Sequence, residues 1–150
     1  MSATRWRRLA LLVLGIPQVG VGLWAMFVPE RWYESFPGAG RDWLPAFGPY
    51  NEHFAVDAGA GIFAAGALAI VAAIWLERRV VQIAMLGFLA WSVPHAVWHL
   101  TALDALGTAD NVINVTLLAV TVVLPAVLLL TADRLPAEGA VRGAETEVTR

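Results

Sequence analysis

His95 and His99, in "SVPHAVWHL", and His53 and Asp57, in "NEHFAVD", are the residues of this chain best suited to chemistry. Each pair is separated by four positions, so on a helix each sets two polar groups on one face, a turn apart. Two imidazoles at that spacing can share one ion, and imidazole suits zinc, copper and iron. Asp57 would supply a third ligand, or the carboxylate that orients a histidine N–H. Together, His53, Asp57, His95 and His99 form a candidate metal centre.

Haem is a second candidate, with His95 or His99 as one axial ligand and His53 opposite; two histidines of one helix cannot both be axial to the same iron. A histidine beside a carboxylate also titrates near neutral pH and can handle protons or a polar substrate. The plain alternative is a hydrogen bond from Asp57 to His99 or His53 that fixes how two helices meet.

The rest of the sequence says where these residues sit. The chain has 150 residues, 59% hydrophobic and 15% charged, with a mean hydropathy of +0.66. Soluble domains run nearer 45–50% apolar and about 25% charged. The excess falls in four blocks, at about 9–28, 51–76, 80–103 and 111–132, each of the length and purity of a transmembrane helix. The first follows Arg5, Arg7 and Arg8 as a signal peptide would, but it is longer than such a core and lacks an A-x-A site, so it reads as retained.

The expected fold is therefore all-α: a four-transmembrane-helix up-down bundle over residues 1–132. A polar tail over 133–150 is expected to be disordered and cytoplasmic. "ERR" between the second and third blocks and "DALGTAD" between the third and fourth are short, and make neighbours of the helices they join. The first connection is long and carries Trp32, Tyr33, Phe36, Trp43, Phe47, Tyr50 and Phe54. Such aromatics suit the headgroup layer, so one or two short interfacial helices are expected over the outer mouth. They would anchor the bundle, with a substrate lid as the second reading.

Orientation follows from arginine. Arg5, Arg7, Arg8, Arg78, Arg79, Arg134, Arg142 and Arg150 fall on one side of an alternating topology, against Arg31 and Arg41 on the other. That places both termini in the cytoplasm and the chain in the inner (plasma) membrane. At 1.5 Å per residue, His99 and His95 then lie about 6 and 12 Å below the outer end at Leu103, and Asp57 about 9 Å below Asn51.

Stepping by four from His53 and Asp57 reaches Gly61, Ala65, Ala69 and Ala73, a small-residue stripe that allows close helix packing. The face carrying His53 and Asp57 is thus expected to turn inward, toward His95 and His99. Gln18 of the first helix, and Asn111 and Asn114 of the fourth, are expected to support the pocket. Asn51 and Glu52 are expected to cap the second helix, and Pro94 to bend the third.

Several classes are excluded. A net charge of −2 with no basic run beyond "RWRR" does not suit nucleic acid. With no cysteine, disulfides, thiolate metal sites and thiol nucleophiles are absent. "GAGIFAAG" follows no strand, so it is not a phosphate loop.

"YNEHFAVDAGAGIFAAGAL" followed by "PHAVWHL" resembles small four-helix DoxX-like membrane proteins of actinobacteria. Asn51, His53, Phe54, Asp57 and Gly59 carry the first part of the resemblance, His95 and His99 the second, over about residues 10–130. It implies a four-helix bundle and, by analogy, a respiratory or redox accessory role. The expectation is a small integral membrane protein with an accessory or binding role, built around an outward-facing His/Asp pocket. It would contact the bilayer and a membrane protein partner or a second copy. A metal- or haem-dependent redox enzyme or respiratory-type subunit, and a scaffold for a larger partner, are the alternatives.

Overall fold

The computed structural model describes residues 3–135; the tail expectation for 136–150 lies outside the described residues. Four helices are long and apolar enough to cross a membrane: α1 (Ala3–Phe27), α3 (Glu52–Trp75), α4 (Arg78–Thr101) and α5 (Thr108–Leu130). They mark a multi-pass membrane protein. Between α1 and α3 stand a short helix α2 (Pro29–Ser35), a two-residue hairpin of β1 (Pro37–Gly38) and β2 (Arg41–Asp42), and a 3-10 turn at Leu44–Phe47.

Local chemistry sets the helix ends. Asn51 caps α3, its side-chain oxygen accepting from the Phe54 N–H at 3.2 Å. Leu76 closes α3 in the left-handed conformation (φ 52°), its N–H on the Ala72 carbonyl, and buries its side chain. With only Leu76 and Glu77 between them, α3 and α4 fold back on each other, Gly61 against Trp91 and Gly87 against Leu68. Pro94 lies inside an unbroken α4.

The closest contact in the molecule is between α1 and α3, and glycine makes it possible. A methyl group at Gly22 would stand 2.5 Å from the backbone nitrogen of Phe63, and one at Gly66 would stand 2.8 Å from the Gly15 carbonyl oxygen. Gly15 and Gly22 in α1, and Gly59 and Gly66 in α3, are each seven residues apart, so the two glycine pairs meet along one antiparallel seam. Lipid is as apolar as leucine, so close backbone approach replaces the hydrophobic effect as the force joining such helices.

At the end shared by the starts of α1 and α4 and the ends of α3 and α5, arginines meet helix carbonyls. Arg8 Nε donates to Ala73 O (3.0 Å) near the end of α3, and Arg7, 4% exposed, donates to Thr131 O (3.1 Å) just past α5. Cations at helix C-termini satisfy carbonyls that lack a partner and oppose the negative end of the helix dipole. Ala132–Arg134 form a 3-10 turn, Leu135 is buried, and Asp133 pairs with Arg78 at 2.6 Å. This short turn therefore packs on the helices through both an apolar contact and an ion pair.

Two apolar clusters follow. Leu11, Leu14, Ala69, Ala72, Met85, Phe88 and Leu128 fill the arginine end, and Ala25, Trp32 and Ala55 anchor the aromatic connection at the other. Arg41 ties that connection to α5 through Asp110 at 2.7 Å. Arg41→Gln should therefore speed amide hydrogen exchange across residues 37–47 while leaving the four long helices protected. Equal exchange in both proteins would remove the tether.

Candidate functional site

One seam of α4 faces the bundle. Val81, Met85, Phe88, Ser92 and His99 are buried along it at helical spacing, and His95, between the last two, is half-buried. The seam is apolar over most of its length and turns polar in its last two turns. His99 is 9% exposed, with its Nδ1 3.2 Å from the Nδ2 of Asn114, itself 7% exposed, on α5. With the amide so oriented, Asn114 donates, the imidazole accepts, and the proton of neutral His99 rests on Nε2.

Aromatic rings enclose the pair. The His95 and His99 rings meet edge to face, 4.6 Å between centroids, and Trp91 stacks on His95 at 5.0 Å and 19°. Phe47, from the 3-10 turn of the long connection, sets its ring 4.9 Å from His99 and 5.3 Å from Trp98. The aromatic connection thus reaches the histidines directly. Ser92, fully buried one turn below His95, has no hydrogen-bond partner for its hydroxyl among the described residues.

The expected four-residue pocket does not assemble. His53 and Asp57 pair with each other at 3.4 Å, their side chains 79% and 63% exposed, on the outward side of α3. The correction has a geometric cause. At about 100° per residue, a stripe stepping by four turns about 40° each time, so Ala73 lies about 200° around the helix from His53. Ala65, Ala69 and Ala73 are buried against neighbouring helices, and the same stripe traced back to Asp57 and His53 has wound round to the exposed side.

Two supporting residues also serve elsewhere. Gln18 belongs to the α1–α3 seam, its Cβ beside Gly66. The Asn111 amide donates to Leu103 O (2.6 Å) and Leu106 O (2.9 Å), bracing the turn between α4 and α5. Asn114 alone of the three reaches a histidine. A groove of about 400 Å³ lies near that turn, lined by Leu103, Thr108, Asn111, Val112, Val115 and Thr116, and neither histidine lines it.

No family model, no curated protein and no solved structure matches this chain.

Among the described residues, no three or more histidine, aspartate or glutamate side chains come together as a set that could hold a metal ion. The histidine that would face His95 or His99 across a haem, His53, stays on the outside of α3. His99 and Asn114 do form a hydrogen bond across helices. It joins α4 to α5, where a bond from Asp57 would have joined α3 to α4.

Neither Ser92 nor Phe47 belongs to the site expected from the sequence, where Phe47 stands only among the interfacial aromatics. Ser92 was legible, lying three residues before His95 and seven before His99 on one helical face. Nothing in the sequence distinguishes Phe47 from the six other aromatics of its connection.

Proposed function

We propose that this chain is an accessory protein of the plasma membrane: a four-helix up-down bundle, both termini cytoplasmic, that works by associating with another membrane protein chain through its outer half. One observation carries the reading. His53 and Asp57 stand exposed on the outward side of a helix long and apolar enough to span the membrane. Ionisable groups in such a helix are costly against lipid and ordinarily face protein or a water-filled space. The histidine–asparagine lock at the end of α4 then has a supporting task, holding α4 and α5 in register so that the bundle presents a fixed outer surface.

Arg7, Arg8, Arg78 and Arg134 at one end of the bundle, against Arg31 and Arg41 at the other, support the orientation. A reporter fused at Gly107 should read as external, and a cytoplasmic signal there would invert the topology. The DoxX-like resemblance is compatible with an accessory role; within it, His53 and Asp57 become surface residues rather than pocket ligands.

The test is mass. Solubilised from native membranes in mild detergent, the protein should give a protein mass by light scattering above its 16.1 kDa chain. His53→Leu/Asp57→Leu should lower that mass toward the single chain. A single-chain mass before substitution would overturn the reading.

A metal centre narrowed to His95 and His99 is the second reading. It is favoured by their one-turn spacing; for His99 to offer Nε2 to an ion, the Asn114 amide must turn so that its oxygen accepts from Nδ1–H. Stoichiometric zinc, copper or iron in the protein from native membranes would establish it, and none would dismiss it.

A further inference from the structure

We propose that the arginine end of the bundle binds the headgroup of an anionic phospholipid, with Arg8 as the main hydrogen-bond donor to its phosphate, Arg5 beside it and the exposed face of α1 beneath its acyl chains. Binding there is independent of the accessory reading above and needs only that the protein spans the membrane. Charge is divided unevenly between the two ends. Arg5, Arg7, Arg8, Arg78, Arg79 and Arg134 share one end with two acids among the described residues, Glu77 and Asp133. At the other end Glu30, Glu34, Asp42, Glu52 and Asp110 outnumber Arg31 and Arg41. Only the first end attracts an anionic headgroup.

Arg8 is already oriented for the contact. Exposed at the surface, it donates from Nε to Ala73 O at 3.0 Å, which fixes the guanidinium against the end of α3. That bond leaves its two terminal nitrogens as donors, and a planar pair of N–H groups matches two phosphate oxygens. Arg7, the preceding residue, strengthens the field. It is 4% exposed, bonds a backbone carbonyl rather than an acid, and has no partner for its Nε among the described residues. A cation enclosed by protein is weakly screened, so an anion resting on Arg8 feels its charge.

The surface next to these cations fits a lipid better than a free anion. Arg5, Leu9, Val13 and Ile16 follow one another by three and four residues, with Arg8 alongside. One exposed face of α1 therefore runs from guanidinium groups to branched apolar side chains. At the same end of the neighbouring α3, Ile74 and Trp75 are exposed. An indole at that level suits the boundary between headgroups and chains. A phospholipid has the same profile, phosphate at one end and acyl chains beyond it, whereas an inorganic ion would use the guanidinium alone.

Thermal stability in the presence of lipid tests the site. Added to the detergent-purified protein, phosphatidylglycerol should raise the unfolding midpoint by several degrees, while phosphatidylcholine at the same concentration leaves it unchanged. Arg8→Gln also loses the Ala73 bond, so the quantity read is the shift that lipid produces in each variant rather than the starting midpoint. That shift should fall several-fold in Arg8→Gln, persist in part in Arg8→Lys, which keeps the charge without the planar donor pair, and stay at full size in Arg31→Gln at the other end. If Arg8→Gln does not fold, Arg5→Gln supplies the same reading with the Ala73 bond in place. Equal shifts from the two lipids, or an undiminished shift in Arg8→Gln or its substitute, would overturn the proposal. Equal losses in Arg8→Gln and Arg31→Gln would mean diffuse charge attraction and overturn it too, as would a shift of the same size from inorganic phosphate alone.

Discussion

Gly22→Ala is expected to lower the stability of this protein, while Gly20→Ala, two residues away on the same helix, raises it. Both exchanges gain helix propensity, by up to about 1 kcal/mol for alanine over glycine. At Gly20 the new methyl meets nothing within 4 Å, so that gain stands alone. At Gly22 it would stand 2.5 Å from the nitrogen and 2.7 Å from the Cα of Phe63. These are backbone atoms of α3, and no rotamer change relieves them. The two helices must separate along a seam that also holds Gly15, Gly59 and Gly66. Overpacking of this kind costs about 1–3 kcal/mol, and the loss here belongs at the upper end because the obstacle is backbone. Thermal unfolding in one detergent should show opposite shifts for the two variants. Shifts of the same sign would mean that α1 and α3 do not meet at Gly22.

The second large effect concerns the lock at the end of α4. His99→Leu should destabilise by about 1–3 kcal/mol, because it leaves the buried Asn114 amide without its partner. Asn114→Leu should do the same to His99. The double variant should cost clearly less than the sum, since removing both polar groups leaves neither unsatisfied. Interhelical hydrogen bonds in membranes contribute about 0.6–2 kcal/mol, so the coupling should fall in that range. Additive losses would show that the two side chains act independently. Phe47→Ala supplies a control: it should expose His99 to water-borne imidazole reagents while leaving the Asn114 bond intact.

Legibility differed between elements for physical reasons. The four spans could be read because crossing a membrane demands about 20 apolar residues, whatever their neighbours do. The hairpin connections were readable because two or a few residues leave no choice of neighbour, and the start of α3 because Asn51 carries its own capping group. The partner of α1 was not readable. Its connection to α3 is long, and only the match between glycines at 15 and 22 and glycines at 59 and 66 settles the contact. Likewise, the arginines near the N-terminus signal orientation in the sequence, and the fold also sets Arg7 and Arg8 on the last carbonyls of other helices.

For the candidate site, the sequence by itself determined which residues could be chemical and near which helix ends they lie. It placed His95 and His99 one turn apart near one end of α4, and His53 and Asp57 near the start of α3. Only the tertiary structure decided which way each pair faces. In a soluble helix the polar side is the outer side, and a stripe of hydrophobic residues marks the inside. A helix in lipid is apolar all round, so composition gives no contrast between inner and outer faces. The small-residue stripe of α3 then misleads, because stepping by four winds round the helix. It begins at an exposed acid–base pair and ends in the core, whereas the polar seam of α4 remains inside and closes on Asn114.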